Sequence, residues 1–221
     1  MSLADIDLVV FDCDGVLINS EELASEICVA AVRELGLHLT PHQYADRYAG
    51  HPVAEIWRRV EEDCGKPLPA GFRETVDTDV RRRFETELVA ITGVAELLAQ
   101  LVHPRCVASS SHITLLRANL GRVGLIDYFD PHVFSGSQVK RGKPAPDVFL
   151  YAASQMGADP ARCLVIEDSM AGVTAARRAG MKAIGFAGGG HASEVLHERL
   201  LEAGAVDVFK TMQDIWGYMS R

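Results

Sequence analysis

Asp12 and Asp14 stand two residues apart, directly behind an apolar run of Ile6, Leu8, Val9, Val10 and Phe11, and Gly15 follows them. In extended backbone, carboxylates at this spacing project to the same side. Like charges this close repel, and a fold tolerates them where a cation lies between them or where catalysis needs them. Three later loci carry matching chemistry. Ser109 and Ser110 supply a hydroxyl and successive N–H groups before a helix, an arrangement that suits phosphate. Lys143 puts a cation into the proline-stiffened stretch Lys143-Pro144-Ala145-Pro146-Asp147, and Glu167-Asp168 repeats the paired acids. Each has an ordinary reading when taken alone: a solvated acid pair, capping serines, an exposed lysine, acids complementing a helix dipole.

The elements around these residues change that reading. The run ending at Phe11 is short and nearly continuous, as in a strand buried on both faces of a parallel sheet. Residues 105–108, 163–166, 182–186 and 206–209 read as further strands, alternating with helical patterns from Thr92 onward, and Ser169 caps one of those helices. That alternation predicts an α/β fold with a doubly wound, Rossmann-like parallel sheet. Aspartates, serines, lysine and acid pair then fall at strand ends or in loops, where such a sheet binds its ligands. Residues 19–87 show helical periodicity without a strand signal, including Thr40-Pro41-His42-Gln43 with the residues of a capping box. They predict a helical domain inserted into a core made of residues 1–18 and 88–221.

Bulk properties narrow the function. A net charge of −8 and an isoelectric point near 5.5 argue against a nucleic-acid or anionic-membrane surface. They also require a locally positive pocket for any anionic substrate. No stretch approaches the roughly 20 apolar residues of a transmembrane helix, and no signal peptide is visible, so a cytoplasmic protein is expected. The five cysteines are scattered, without a zinc spacing, and read as reduced thiols. Oligomeric state is not legible, and a monomer is compatible with everything in the sequence.

Asp12-x-Asp14-Gly15-Val16, Ser109-Ser110, Lys143 and Glu167-Asp168 resemble, in order, the four motifs of the haloacid dehalogenase superfamily. The resemblance implies a phosphatase. Asp12 would be the nucleophile that becomes an aspartyl phosphate, and Asp14 the general acid and base. Mg²⁺ would be held by Asp12, the Asp14 carbonyl and Asp168, with Glu167 assisting. Ser109, Ser110 and Lys143 would bind the transferring phosphoryl group. The substrate would be a small phosphorylated metabolite.

The helical insert is similar to the cap of the subfamily that carries it between the first and second motifs. Within that subfamily the chain resembles sugar-phosphate phosphatases, 6-phosphogluconate phosphatases among them, and β-phosphoglucomutases. It departs from the mutases where their cap histidine and distal-phosphate arginine fall at Ala24 and Val53. That favours water as the final acceptor, with a mutase as the alternative and a non-catalytic binding protein behind it. Arg47 and His51, flanking Gly50, are the candidates for contacting the substrate's non-reacting end.

Overall fold

The first strand, β1 (Leu8–Phe11), is buried along its whole length, and its side chains alternate between two apolar layers. Val9 and Phe11 enter one layer, Leu8 and Val10 the other. A central strand with a helical layer on each side needs apolar residues in both directions, hence the unbroken run. Fully burying each such side chain stabilises the fold by roughly 1.5–3 kcal/mol. The structure, a computed structural model, describes residues 5–48, 53–189 and 194–220.

After β1 come four helices, α1 (Ser20–Glu34), α2 (Pro41–Tyr48), α3 (Val53–Cys64) and α4 (Phe72–Glu87). They carry an apolar core of their own, built on Ile27, Val32, Tyr48, Trp57, Val60 and Val76. Thr40 and Gln43 cap α2 reciprocally: the Gln43 amide donates to the Thr40 hydroxyl at 3.2 Å, and the Thr40 amide to Gln43 Oε1 at 2.9 Å. The chain enters and leaves this segment through one joint. The Asn19 amide donates to the Val89 carbonyl at 3.1 Å, the Val89 amide to Asn19 Oδ1 at 2.9 Å, and the Ile91 amide to the Leu17 carbonyl at 2.9 Å.

The remaining elements alternate: α5 (Val94–Gln100), β2 (Arg105–Ser109), α6 (Ile113–Arg122), β3 (Val133–Ser135), α7 (Asp147–Met156), β4 (Cys163–Glu167), α8 (Met170–Arg178), β5 (Lys182–Phe186), α9 (Glu194–Ala203), β6 (Val208–Phe209) and α10 (Met212–Met219). All strand pairs are parallel, in the order β3-β2-β1-β4-β5-β6. Helices α5, α6 and α10 cover one face, and α7, α8 and α9 the other. The fold is therefore the doubly wound α/β sheet expected from the sequence. The order reverses between β1 and β4, which opens a crevice at their carboxyl ends. Three details differ from the sequence reading. The helical pattern read from Thr92 onward begins as a helix only at Val94, behind Gly93 at φ 84°. The edge strand β3 and the helices α9 and α10 carry no sequence assignment above.

Candidate active site

Asp12 leaves the end of β1 with its amide still bonded to the Ile166 carbonyl of β4 at 3.0 Å. Its carboxylate is thereby fixed at the reversal point of the sheet. The loop behind it is tight: Gly15 sits at φ 77°, and the Cys13 carbonyl accepts from the Leu17 amide at 2.8 Å. Cys13 points into the core, fully buried, and burial pushes its thiol far above the ordinary range. It is a packing residue.

Lys143 reaches the same point from the loop before α7. Its Nζ donates to Asp12 Oδ1 at 2.7 Å, to Glu167 Oε1 at 2.7 Å and to the Ala108 carbonyl at 3.0 Å, over the Phe149 ring. An ammonium has three donors, and all three are engaged. Burial alone would lower the Lys143 pKa, but Asp12 and Glu167 outweigh it and hold the group above its ordinary value. Glu167 is fully buried at the end of β4, and its other oxygen accepts from the Ser169 amide at 2.8 Å and hydroxyl at 2.9 Å. The Ser169 hydroxyl in turn caps α8 by accepting from the Gly172 amide at 3.0 Å. Position 172 must be glycine here, because a Cβ would lie 1.7 Å from Glu167 Oε1.

Asp12, Glu167 and Asp168 each bring a carboxylate oxygen to within 4.8 Å of the others, all buried. Burial pushes the Asp12 and Asp168 carboxyls well above the ordinary range, and the neighbouring Glu167 carboxylate adds to it. The Lys143 ammonium offsets this in part. Three oxygen donors at a point of excess negative charge fit a hard divalent cation of the Mg²⁺ kind.

Asp14 is held by three hydroxyls. Ser20 donates to its Oδ1 at 2.8 Å, and Ser111 and Ser109 to its Oδ2 at 2.6 and 3.2 Å. The Ser109 hydroxyl also accepts the Ser111 amide at 3.0 Å. Ser20 and Ser111 were not anticipated from the sequence. The available signal was their place behind strand ends, Ser20 six residues after Asp14 and Ser111 two after Ser109. Ser110 lies exposed on the rim of the same cavity.

That cavity, of about 680 Å³, has these groups as its floor and the insert as its opposite wall. Ala24, Val53, Ile56, Trp57, Val80 and Phe84 line the wall, so both positions compared with the mutases in the sequence face the ligand space. Arg47 is not among the lining residues. Its guanidinium pairs with Asp63 at 2.6 Å and half of its side chain lies in solvent. A carboxylate on the next helix is a nearer partner than a ligand in the cavity. His51 lies outside the described residues. Arg199 of α9 lines the cavity instead.

Comparisons with known proteins identify the family. Residues 6–180 match the model of the haloacid dehalogenase-like hydrolases. The chain is 32% identical to the 6-phosphogluconate phosphatase of Escherichia coli (strain K12), over 90% of each chain. It is 33% identical to the phosphorylated carbohydrates phosphatase of Thermotoga maritima, over 93% of this chain and 94% of that one. Among solved structures it superposes with a TM-score of 0.93 on a haloacid dehalogenase-like protein of unknown function from Agrobacterium tumefaciens str. C58. That protein is 37% identical, and the match covers 97% of this chain and 98% of the other. The chain belongs to the haloacid dehalogenase-like hydrolases.

Proposed function

We propose that this hydrolase is a Mg²⁺-dependent phosphatase of small sugar or sugar-acid phosphates, working through an aspartyl phosphate on Asp12. The observation that carries the reading is the Asp12 carboxylate, clamped by Lys143 at 2.7 Å beside Glu167 and Asp168, at the floor of a cavity large enough for a phosphosugar. The similar phosphatases, named for 6-phosphogluconate and phosphorylated carbohydrates, support the substrate class.

In the first step an Asp12 oxygen bonds to phosphorus while the bond to the leaving oxygen breaks, and Asp14 gives that oxygen its proton. In the second, Asp14 takes a proton from water, the water oxygen bonds to phosphorus, and inorganic phosphate leaves as the Asp12 carboxylate re-forms. Ser20, Ser109 and Ser111 orient Asp14 for both transfers. Lys143 brings positive charge to the phosphoryl oxygens, and Ser110, next to Ser109, brings an amide and a hydroxyl. Asp12, Asp168, Glu167 and the Asp14 carbonyl would hold Mg²⁺, which when bound neutralises charge developing on those oxygens. The four-helix insert serves as a cap that excludes water from the floor.

Ala24 and Val53 give the cap no cation for a second phosphate at those positions, which favours hydrolysis over mutase chemistry. The test incubates the protein with Mg²⁺ and a panel of sugar and sugar-acid phosphates and follows free phosphate. Release should require Mg²⁺ and stop in EDTA. Release undiminished after exhaustive chelation would remove the metal from the reading. A parallel tube holds β-glucose 1-phosphate with a trace of the 1,6-bisphosphate. Glucose 6-phosphate outrunning free phosphate there would replace the phosphatase by a mutase.

A further inference from the structure

Two cationic residues line the cavity among the described residues, Lys143 and Arg199. They are in opposite situations. Lys143 has its three donors committed to Asp12, Glu167 and the Ala108 carbonyl. Arg199 has five N–H donors, and the bond it makes is from Nη1 to the Asp46 carbonyl of α2 at 3.0 Å. It therefore stands at the seam between core and insert, with its partner on the insert and not in the strand-end loops. Its position follows from the helix: Leu196 and Arg199, three apart, share the face of α9 that looks on the cavity, while Leu200 is buried in the core.

The charge of the cavity says what such a group is for. Beyond the acids of the floor, Glu21, Asp46 and Asp77 also line it, and its remaining wall is largely apolar. Acids there suit the hydroxyls of a neutral sugar, which donate to them. They repel a second anionic group, unless a cation meets it. A guanidinium fork is planar and pairs with a carboxylate through two parallel bonds.

We propose that Arg199 is a specificity-determining residue that binds a carboxylate at the end of the substrate remote from its phosphate. The proposal rests on the phosphatase reading and selects sugar-acid phosphates within it. The same guanidinium touches the Asp46 carbonyl, so it reads the ligand from the core while gripping the cap.

The experiment compares two ligands that differ at one end only: gluconate 6-phosphate and sorbitol 6-phosphate, in which a CH₂OH replaces the carboxylate. With Mg²⁺ present, the native enzyme should favour the gluconate ester in kcat/KM by about 10- to 100-fold, the range for a charge-assisted pair. In Arg199→Gln, which keeps a donor for the Asp46 carbonyl, the ratio should fall to within about threefold of unity, mainly through KM. Arg199→Lys should retain part of it. A native enzyme without the preference, or an Arg199→Gln enzyme that keeps it, would overturn the proposal. So would equal losses on both esters, the signature of a clamp between core and cap. Hydrolysis of p-nitrophenyl phosphate separates the two levels. If the native enzyme cleaves it while the ratio is unmoved, the Arg199 assignment fails alone. If nothing is cleaved, the phosphatase reading fails and takes the assignment with it.

Discussion

The floor and the wall of the cavity are built on different rules. On the floor nearly every polar atom has a fixed partner: Lys143 has three acceptors, Asp14 three hydroxyls, and Glu167 a lysine, a serine amide and a serine hydroxyl. On the wall, mostly apolar side chains face the ligand, with Glu21, Asp46 and Asp77 among them, and the ion pairs of the insert, such as Arg47–Asp63 and Arg58–Glu55, lie near solvent. Phosphoryl transfer depends on charge that is in place before the substrate arrives, because rearranging dipoles during the reaction costs rate. Choosing among small sugars needs only shape and a few contacts, and an apolar wall can be redrawn by single substitutions. The difference separates what must be rigid from what is free to vary.

Substitutions on the two sides should therefore differ in kind. Asp12→Asn, which keeps the shape and removes the nucleophile, should reduce turnover to background in a folded protein. Retention of more than a few per cent of activity would show that the floor does not work by covalent catalysis. Asp14→Asn should lower kcat by about 10²–10⁴-fold, with aspartyl phosphate accumulating in rapid-quench experiments. Normal turnover of a substrate with a poor leaving group would assign Asp14 a structural role.

Gly172→Ala touches the floor indirectly. Its new methyl would sit on Glu167 Oε1, so the carboxylate must move, and disturbed support around a metal site typically weakens affinity about 10–100-fold. Titrating activity against Mg²⁺ measures this, and an unchanged midpoint would mean that Glu167 takes no part in metal binding. The smallest effect belongs to the wall. Val80→Ala should raise KM by at most about tenfold with kcat within about a factor of two. A fall in kcat as large as that of Asp14→Asn would end the distinction between the two sides.

The floor was the part most legible in the sequence. Acids and a hydroxyl immediately after buried strands have one place to go in a parallel sheet, and Asp12, Ser109 and Glu167 went there. The helical insert was readable because four-residue periodicity and a reciprocal cap are local signals. What escaped depends on contacts between distant residues. Ser111 meets Asp14 across 97 positions, and no periodicity marks a hydroxyl as a partner. Arg47 was placed near the ligand from its neighbourhood in sequence, yet Asp63, 16 residues later, holds it. The β3 strand is three residues long at a sheet edge, too short for an alternation to register. Helix α9 did leave a signal, with Val195, Leu196, Arg199, Leu200 and Ala203 at three- and four-residue steps before Gly204. The residue proposed to read the substrate lies on it.

The joint between core and insert has a consequence for how such a protein can change. Asn19 and Val89 are 70 residues apart in sequence and hydrogen bonded to each other. Seen from the sheet, everything between them is a side trip that returns to its starting point. Closing a loop costs free energy that grows only with the logarithm of its length, about 0.6 kcal/mol for each doubling. The side trip could be lengthened, shortened or exchanged with little penalty to the sheet, provided the two chain ends still meet at Asn19 and Val89. New specificities can be grafted at this joint while the catalytic floor, apart from the Ser20 hydroxyl at the start of the insert, is inherited unaltered.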